Sequence, residues 1–330
     1  MRLLFPTIVV AALSAIAFYG SQVDGLQSVF GVYIPRIAFL IFVIGFIVRI
    51  IDWIRSPVPF NITTTAGQQK SLPWIKANNL ENPYNFFGVI GRMALEIFAF
   101  RSLFRNNQVN LVNGRLTYSS YKWLWAAGLA FHWSFFVMFV RHFRFFVHPL
   151  PEFLVMVEQL DHLFQFGVPA IYLTDVLLLL GITFLFYRRI AEPQMRYLSQ
   201  AADYFPLLLI ITIAATGISM RYFLHVDIMH IKHLTIGLAT EVFPDVPPGI
   251  SPAFFVHLFL VSVLFAYFPF SKLMHMGGVF LSPTRNMQGN TRMFRHINPW
   301  NYEVKPHSYA AYEDDFREKM KEAGLPVEKE

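Results

Sequence analysis

Apolar and polar positions along this chain fall into long blocks, not the short alternations of a soluble fold. A helix that crosses a membrane needs about 20 mostly apolar residues. Six blocks approach that size, at roughly 3–20, 32–54, 122–147, 168–187, 204–223 and 252–271. The pattern predicts an all-α membrane protein with six transmembrane helices. The first block carries Ala15-Ile16-Ala17, which resembles a secretory cleavage site, but its basic leader is Arg2 alone, so a retained anchor is expected.

Four regions follow: two N-terminal transmembrane helices over 1–55, a cytoplasmic amphipathic segment over 56–121, a four-helix transmembrane core over 122–271 and a cytoplasmic tail over 272–330. Within the second, "FFGVIGRMALEIFAFRSLF" reads equally well as a helix on the membrane surface or as a docking platform for a cytoplasmic partner. The tail ends in "EDDFREKMKEAGLPVEKE", a solvated extension with room for a short helix.

Composition supports the membrane reading, since 55% of the 330 residues are apolar and 15% charged, against about one quarter charged in soluble chains. There is no cysteine. That removes disulfides, iron–sulfur ligation by this chain and covalent haem attachment. The net charge of +6 does not call for nucleic acid, because the basic residues flank apolar blocks and report topology instead. Lys and Arg crowd positions 49 to 122, 188 to 196 and the tail from 272, which places those parts and both termini in the cytoplasm. A multi-pass protein of the cell's inner membrane is expected. Arg141 and Arg144, at the outer end of the third block, break this pattern and suggest a functional pairing.

Ionisable side chains inside a span are expensive and suspect. Of 11 histidines, His132 and His142 lie in the third block and His257 and His275 in or at the end of the sixth. At helical rise the first pair is separated by roughly 15 Å and the second by roughly 27 Å, with a kink at Pro269 able to absorb the difference. In antiparallel helices His132 then shares the cytoplasmic level with His275, and His142 the outer level with His257. Two imidazoles facing each other at one level suit the axial positions of a haem iron. A second string, "HVDIMHIKH", puts Asp227, His230 and His233 at three-residue spacing; an outer interfacial helix is the favoured reading there, with a metal site the alternative.

"AFHWSFFVMFVRH" and "HLFLVSVLFAYFPFSKLMH" resemble the two haem-ligating helices of the NarI-like membrane cytochromes b, the gamma subunits of respiratory nitrate reductases. Over the whole chain, including "SPVPFNITTTAGQQKSLPWIK", the sequence is more similar to DsrM-type subunits of Dsr and heterodisulfide-reductase-like menaquinol oxidoreductases. The resemblance implies a NarI-like dihaem bundle with one extra N-terminal helix and two haem b groups, one held by His132 and His275 and the other by His142 and His257. It also implies membership of a quinol-oxidising complex, linked to sulfur-compound reduction, that exchanges electrons between menaquinol and a cytoplasmic iron–sulfur subunit. Further membrane and extracytoplasmic redox subunits are compatible with it. The family's quinol pocket uses a lysine near the outer haem, and "EQLDHLFQFG" stands at that place here. His162 becomes the candidate quinol-facing group, with Arg144 and Asp161 nearby.

The chain alone is then part of an enzyme, since electrons must leave for a protein that has cysteine. The alternatives are a nitrate-reductase-type gamma subunit, a proton-coupled transporter built on intramembrane histidine and arginine, and a structural anchor. The transporter predicts repeated halves, which the sequence lacks.

Overall fold

A computed structural model describes residues 2–56, 58, 61, 67–164, 169–293 and 305–329. Part of the "SPVPFNITTTAGQQKSLPWIK" segment, the expected start of the fourth span at 168 and residues 294–304 of the tail lie outside the described residues.

α1 (Leu4–Gly20) leads to α2 (Ile34–Ile54), which continues without a break from a π-helical turn over Val29–Tyr33. α3 (Phe86–Ala99) is started by the Asn85 side chain, which accepts from the Gly88 N–H at 2.8 Å, and ends where Phe100 turns left-handed (φ 49°) into α4 (Arg101–Arg105). β1 (Asn107–Val112) and β2 (Arg115–Ser120) form an antiparallel hairpin through Asn113 and Gly114, both at positive φ. An Asn-Gly pair is the usual occupant of that tight turn. α5 (Lys122–His142) follows, then α6 (Glu152–Leu160) and the short antiparallel pair β3 (His162–Phe164) and β4 (Ile171–Tyr172). The remaining helices are α7 (Leu173–Ala191), α8 (Pro193–Leu198), α9 (Ala201–Ser219, extended by a π-helical turn to Leu224), α10 (Ile228–Thr240), α11 (Pro252–Tyr267), α12 (His275–Gly278) and α13 (Tyr309–Glu322). The two small sheets correct the all-α expectation. Asn-Gly between alternating Val109, Leu111 and Leu116, Tyr118 was the sequence signal for the first of them.

The six-span expectation is overturned. Among the described residues, four helices are long and apolar enough to cross a membrane: Val29–Ile54, Lys122–Phe145, Ala201–Leu224 and Pro252–Phe270. α1 has 17 residues, about 25 Å of rise against a hydrocarbon layer of about 30 Å. α7 is 19 residues long but carries Asp175, Arg188 and Arg189. Block hydropathy overlooked where the helix begins and that Asp175 is buried within the protein. Of the four blocks expected between 122 and 271, three form helices of spanning character among the described residues and α7 does not.

α5 packs on α7, α7 on α9, and α9 on α11, with α1 and α2 closing against α11. The α5–α7 contact needs Gly181, where a Cβ would come within 3.0 Å of the Phe131 Cβ; small residues commonly permit such approaches between membrane helices. A core of Ala17, Leu209, Leu234, Phe255 and Leu260 ties α1, α9, α10 and α11 together.

The sixth block is not one helix. After α11 the chain makes a 3-10 turn through Pro269, goes extended at Ser271 (φ −120°, ψ 174°), and turns again over Lys272–Met274 before His275. This break replaces the five continuous turns expected between His257 and His275. Gly45 of α2 admits it, since a Cβ there would lie 2.7 Å from Pro269.

Candidate functional site

α5 presents His132 and His142 toward the α11–α12 strand of the bundle. The ring centroids of His142 and His257 are 6.3 Å apart with planes 10° from parallel, and those of His132 and His275 are 5.9 Å apart at 78°. The structure thus brings together the same two pairs that depth along the helices predicted.

Each imidazole is held at Nδ1. His132 donates to the Gly128 carbonyl at 2.7 Å, His142 to the Met138 carbonyl at 2.7 Å and His275 to the Lys272 carbonyl at 2.8 Å. A carbonyl only accepts, so the proton sits on Nδ1 and the Nε2 lone pair is left for a ligand. His257 contacts the Thr216 hydroxyl at 3.0 Å. That hydroxyl has the Thr212 and Ile213 carbonyls within 3.0 Å to donate to, so it accepts from His257.

A ligating imidazole nitrogen lies about 2 Å from its metal and about 1 Å from its own ring centre, so two rings sharing one iron have centroids about 6 Å apart. Both pairs fit that separation. Among the described residues no group of three or more His, Asp or Glu side chains could hold a metal ion; each pair offers two imidazoles, the number a haem iron takes from protein at its axial positions. Gly217 leaves space beside His257, where a Cβ would be 3.1 Å from Cε1. Phe100 and Phe131 each pack edge-on to His132 at 5.0 Å. A bulky residue at positive φ is uncommon, and Phe100 adopts it where it meets that ring.

Next to His142 lies a polar cluster. Arg141 forms ion pairs with Asp161 and, at 3.5 Å, with Asp175. Asp161 also accepts from the Thr174 N–H at 2.9 Å and hydroxyl at 2.6 Å, and Tyr222 donates to Asp175 at 2.8 Å. Two cations lie over the Tyr172 ring, with the guanidinium carbons of Arg141 3.6 Å and Arg221 3.9 Å from its centre. Its hydroxyl donates to Glu158, which Arg144 pairs at 2.6 Å. Burial, reinforced by the bond to Glu158, pushes the Tyr172 hydroxyl up to about 12. Burial pushes Glu158 the other way from its net shift: the Tyr172 hydrogen bond and the Arg144 charge outweigh it and hold the carboxyl below its ordinary range.

His162 is exposed and stacks on Tyr172, centroids 5.4 Å apart. Arg144 reaches the same tyrosine through Glu158, whereas Asp161 turns inward to Arg141 and Thr174. Tyr172, Tyr222, Arg221 and Thr216 were not singled out from sequence, because lone hydroxyls and arginines at block ends have no spacing signature. In the "HVDIMHIKH" string Asp227 caps α10, accepting from the Met229 and His230 N–H groups.

Residues 85–295 match the nitrate reductase gamma subunit family, a range that includes all four histidines. The chain is 43% identical over 279 residues to the Hdr-like menaquinol oxidoreductase cytochrome b-like subunit of Archaeoglobus fulgidus, covering 83% of each. It is 36% identical over 274 residues to the subunit so described in Archaeoglobus profundus, covering 81% of each. With its paired imidazoles and these relatives, the chain belongs to the Hdr-like menaquinol oxidoreductase cytochrome b-like subunits, close kin of the NarI and DsrM membrane cytochromes b.

Proposed function

We propose that this chain is the dihaem b membrane subunit of a respiratory complex, moving electrons between menaquinol or menaquinone and a cytoplasmic, heterodisulfide-reductase-like iron–sulfur subunit in sulfur-compound reduction. His132 and His275 would hold one haem and His142 and His257 the other. When bound, such six-coordinate haems supply one-electron carriers that need little rearrangement. The observation that carries this reading is the spacing of both imidazole pairs, 5.9 and 6.3 Å.

The chain's own residues orient and tune. The Nδ1 bonds fix each ring's rotation and raise the basicity of Nε2. Oxidation of a quinol releases two electrons and two protons, and the protons need an acceptor near the outer pair. His162, exposed and stacked on Tyr172, offers an imidazole whose ring nitrogen can accept a proton. Arg144 pairs with Glu158, which accepts from the hydroxyl of that tyrosine. Asp161 acts structurally, as a counter-charge to Arg141. Lys and Arg are dense over positions 49–122, directly before α5, which supports a cytoplasmic start of that helix and places His132 and His275 toward the electron exit.

A reduced-minus-oxidised spectrum of the purified chain, with haem quantification, tests this. Two low-spin haem b per chain are expected; absence of b-type bands would sink the proposal.

A further inference from the structure

The β1–β2 hairpin is amphipathic and faces the wrong way for a hairpin packed on its own protein. Its register pairs Val109 with Tyr118 and Leu111 with Leu116, and cross-strand partners share a face. All four project outward, at 52%, 73%, 72% and 63% exposure respectively. The opposite face carries Gln108, Asn110, Thr117, Ser119 and Arg115, with Val112 its one apolar member, and from it Gln108 donates to Glu192 at the α7–α8 junction at 3.2 Å. A half-buried antiparallel sheet normally turns its apolar face to the protein and its polar face to water. A lone two-stranded hairpin is at best marginally stable in water.

We infer that this apolar face is the docking surface for the iron–sulfur partner, an inference that rests on the function proposed above. Three observations favour a protein of acidic character. The hairpin ends two residues before α5, roughly 18 Å of helix rise from the level of His132 and farther from His142. It therefore stands at the end of the bundle where electrons would leave. Positions 56–121 carry six Lys or Arg against two Glu; Arg92 is buried and Arg101 and Arg105 pair with Glu81, while Lys76 and, on the hairpin itself, Arg115 are exposed. Lipid is the weaker occupant, because both open edges of a two-stranded hairpin would leave backbone groups unpaired in hydrocarbon.

The test uses the native complex purified through this chain. The double variant Leu111→Asp, Leu116→Asp should cut co-purifying iron–sulfur protein at least tenfold, read as non-haem iron per haem, while haem per chain is unchanged. Thr117→Asp, on the polar face, should retain the partner. Retention of the partner by the double variant would overturn the inference while leaving the functional reading intact. A wild-type complex without haem or without iron–sulfur protein would defeat both. A fluorophore on Leu111→Cys, then the chain's single thiol, should be insensitive to brominated lipids; strong quenching would assign the face to lipid and overturn the proposal. A halving of particle mass in the double variant with the partner kept would assign it to a second copy, with the same consequence.

Discussion

His142 and His257 meet across the bundle with their rings nearly parallel and 6.3 Å between centroids, although 115 positions separate them in sequence. Neither ring touches the other, and each is turned by a hydrogen bond on its far nitrogen, to the Met138 carbonyl and the Thr216 hydroxyl. The gap suits one metal atom.

Replacing either His142 or His257 with Ala should lower haem content from two per chain to one, with the remaining spectrum assignable to the His132–His275 pair. Haem quantification checks this. Loss of both haems from either change, at unchanged folding, would contradict the pairing.

Thr216→Val removes the acceptor that orients His257 without altering the ligand itself. Loss of such a supporting partner costs roughly 10- to 100-fold in metal-site affinity. Preferential loss of the haem assigned to His142 and His257 on dilution is expected, together with a raised midpoint potential in what remains, since a less basic imidazole stabilises the oxidised iron less. Redox titration measures both.

Arg141→Leu should destabilise strongly, because Asp161 and Asp175 would be buried without their counter-charge. Breaking a buried pair costs about 3–5 kcal/mol. Arg144→Ala, whose ion pair with Glu158 is partly exposed, should cost about 1 kcal/mol or less. Thermal melts of the two variants in the same detergent give the comparison; equal effects would remove Arg141 from its structural role.

Glu158 is held below the ordinary carboxylate range, so its charged form is favoured in the fold. Its contribution is complete above about pH 4.3, the ordinary glutamate value, and fades as pH falls through the lower folded value. Tyr172, raised to about 12, stays protonated and donating across that range. Melting temperature against pH should therefore lose part of its acid-side decline in Glu158→Gln. An unchanged decline would show that this carboxylate is not coupled to stability.

Much of the site was legible because it depends on distance along helices. Helical rise converts residue number into depth, and an imidazole inside a span is costly enough to single out, so His132, His142, His257 and His275 could be paired before any coordinates. The long apolar blocks around them were legible for the same reason.

What the chain wrote only in three dimensions concerns short-range choices. Whether α7 is a lipid-facing span or a charged companion depended on Asp175 finding Arg141 and Tyr222, a partnership no window of hydropathy contains. The break at Ser271, which brings His275 to His132, arises where the turn after α11 packs Pro269 against Gly45 of α2. Tyr172 became the centre of the polar cluster beside His142 because residues from α5, α6, α9 and β3 converge on it. Periodicity is a property of one segment and survives in one dimension, whereas convergence belongs to several segments at once and exists only after they pack.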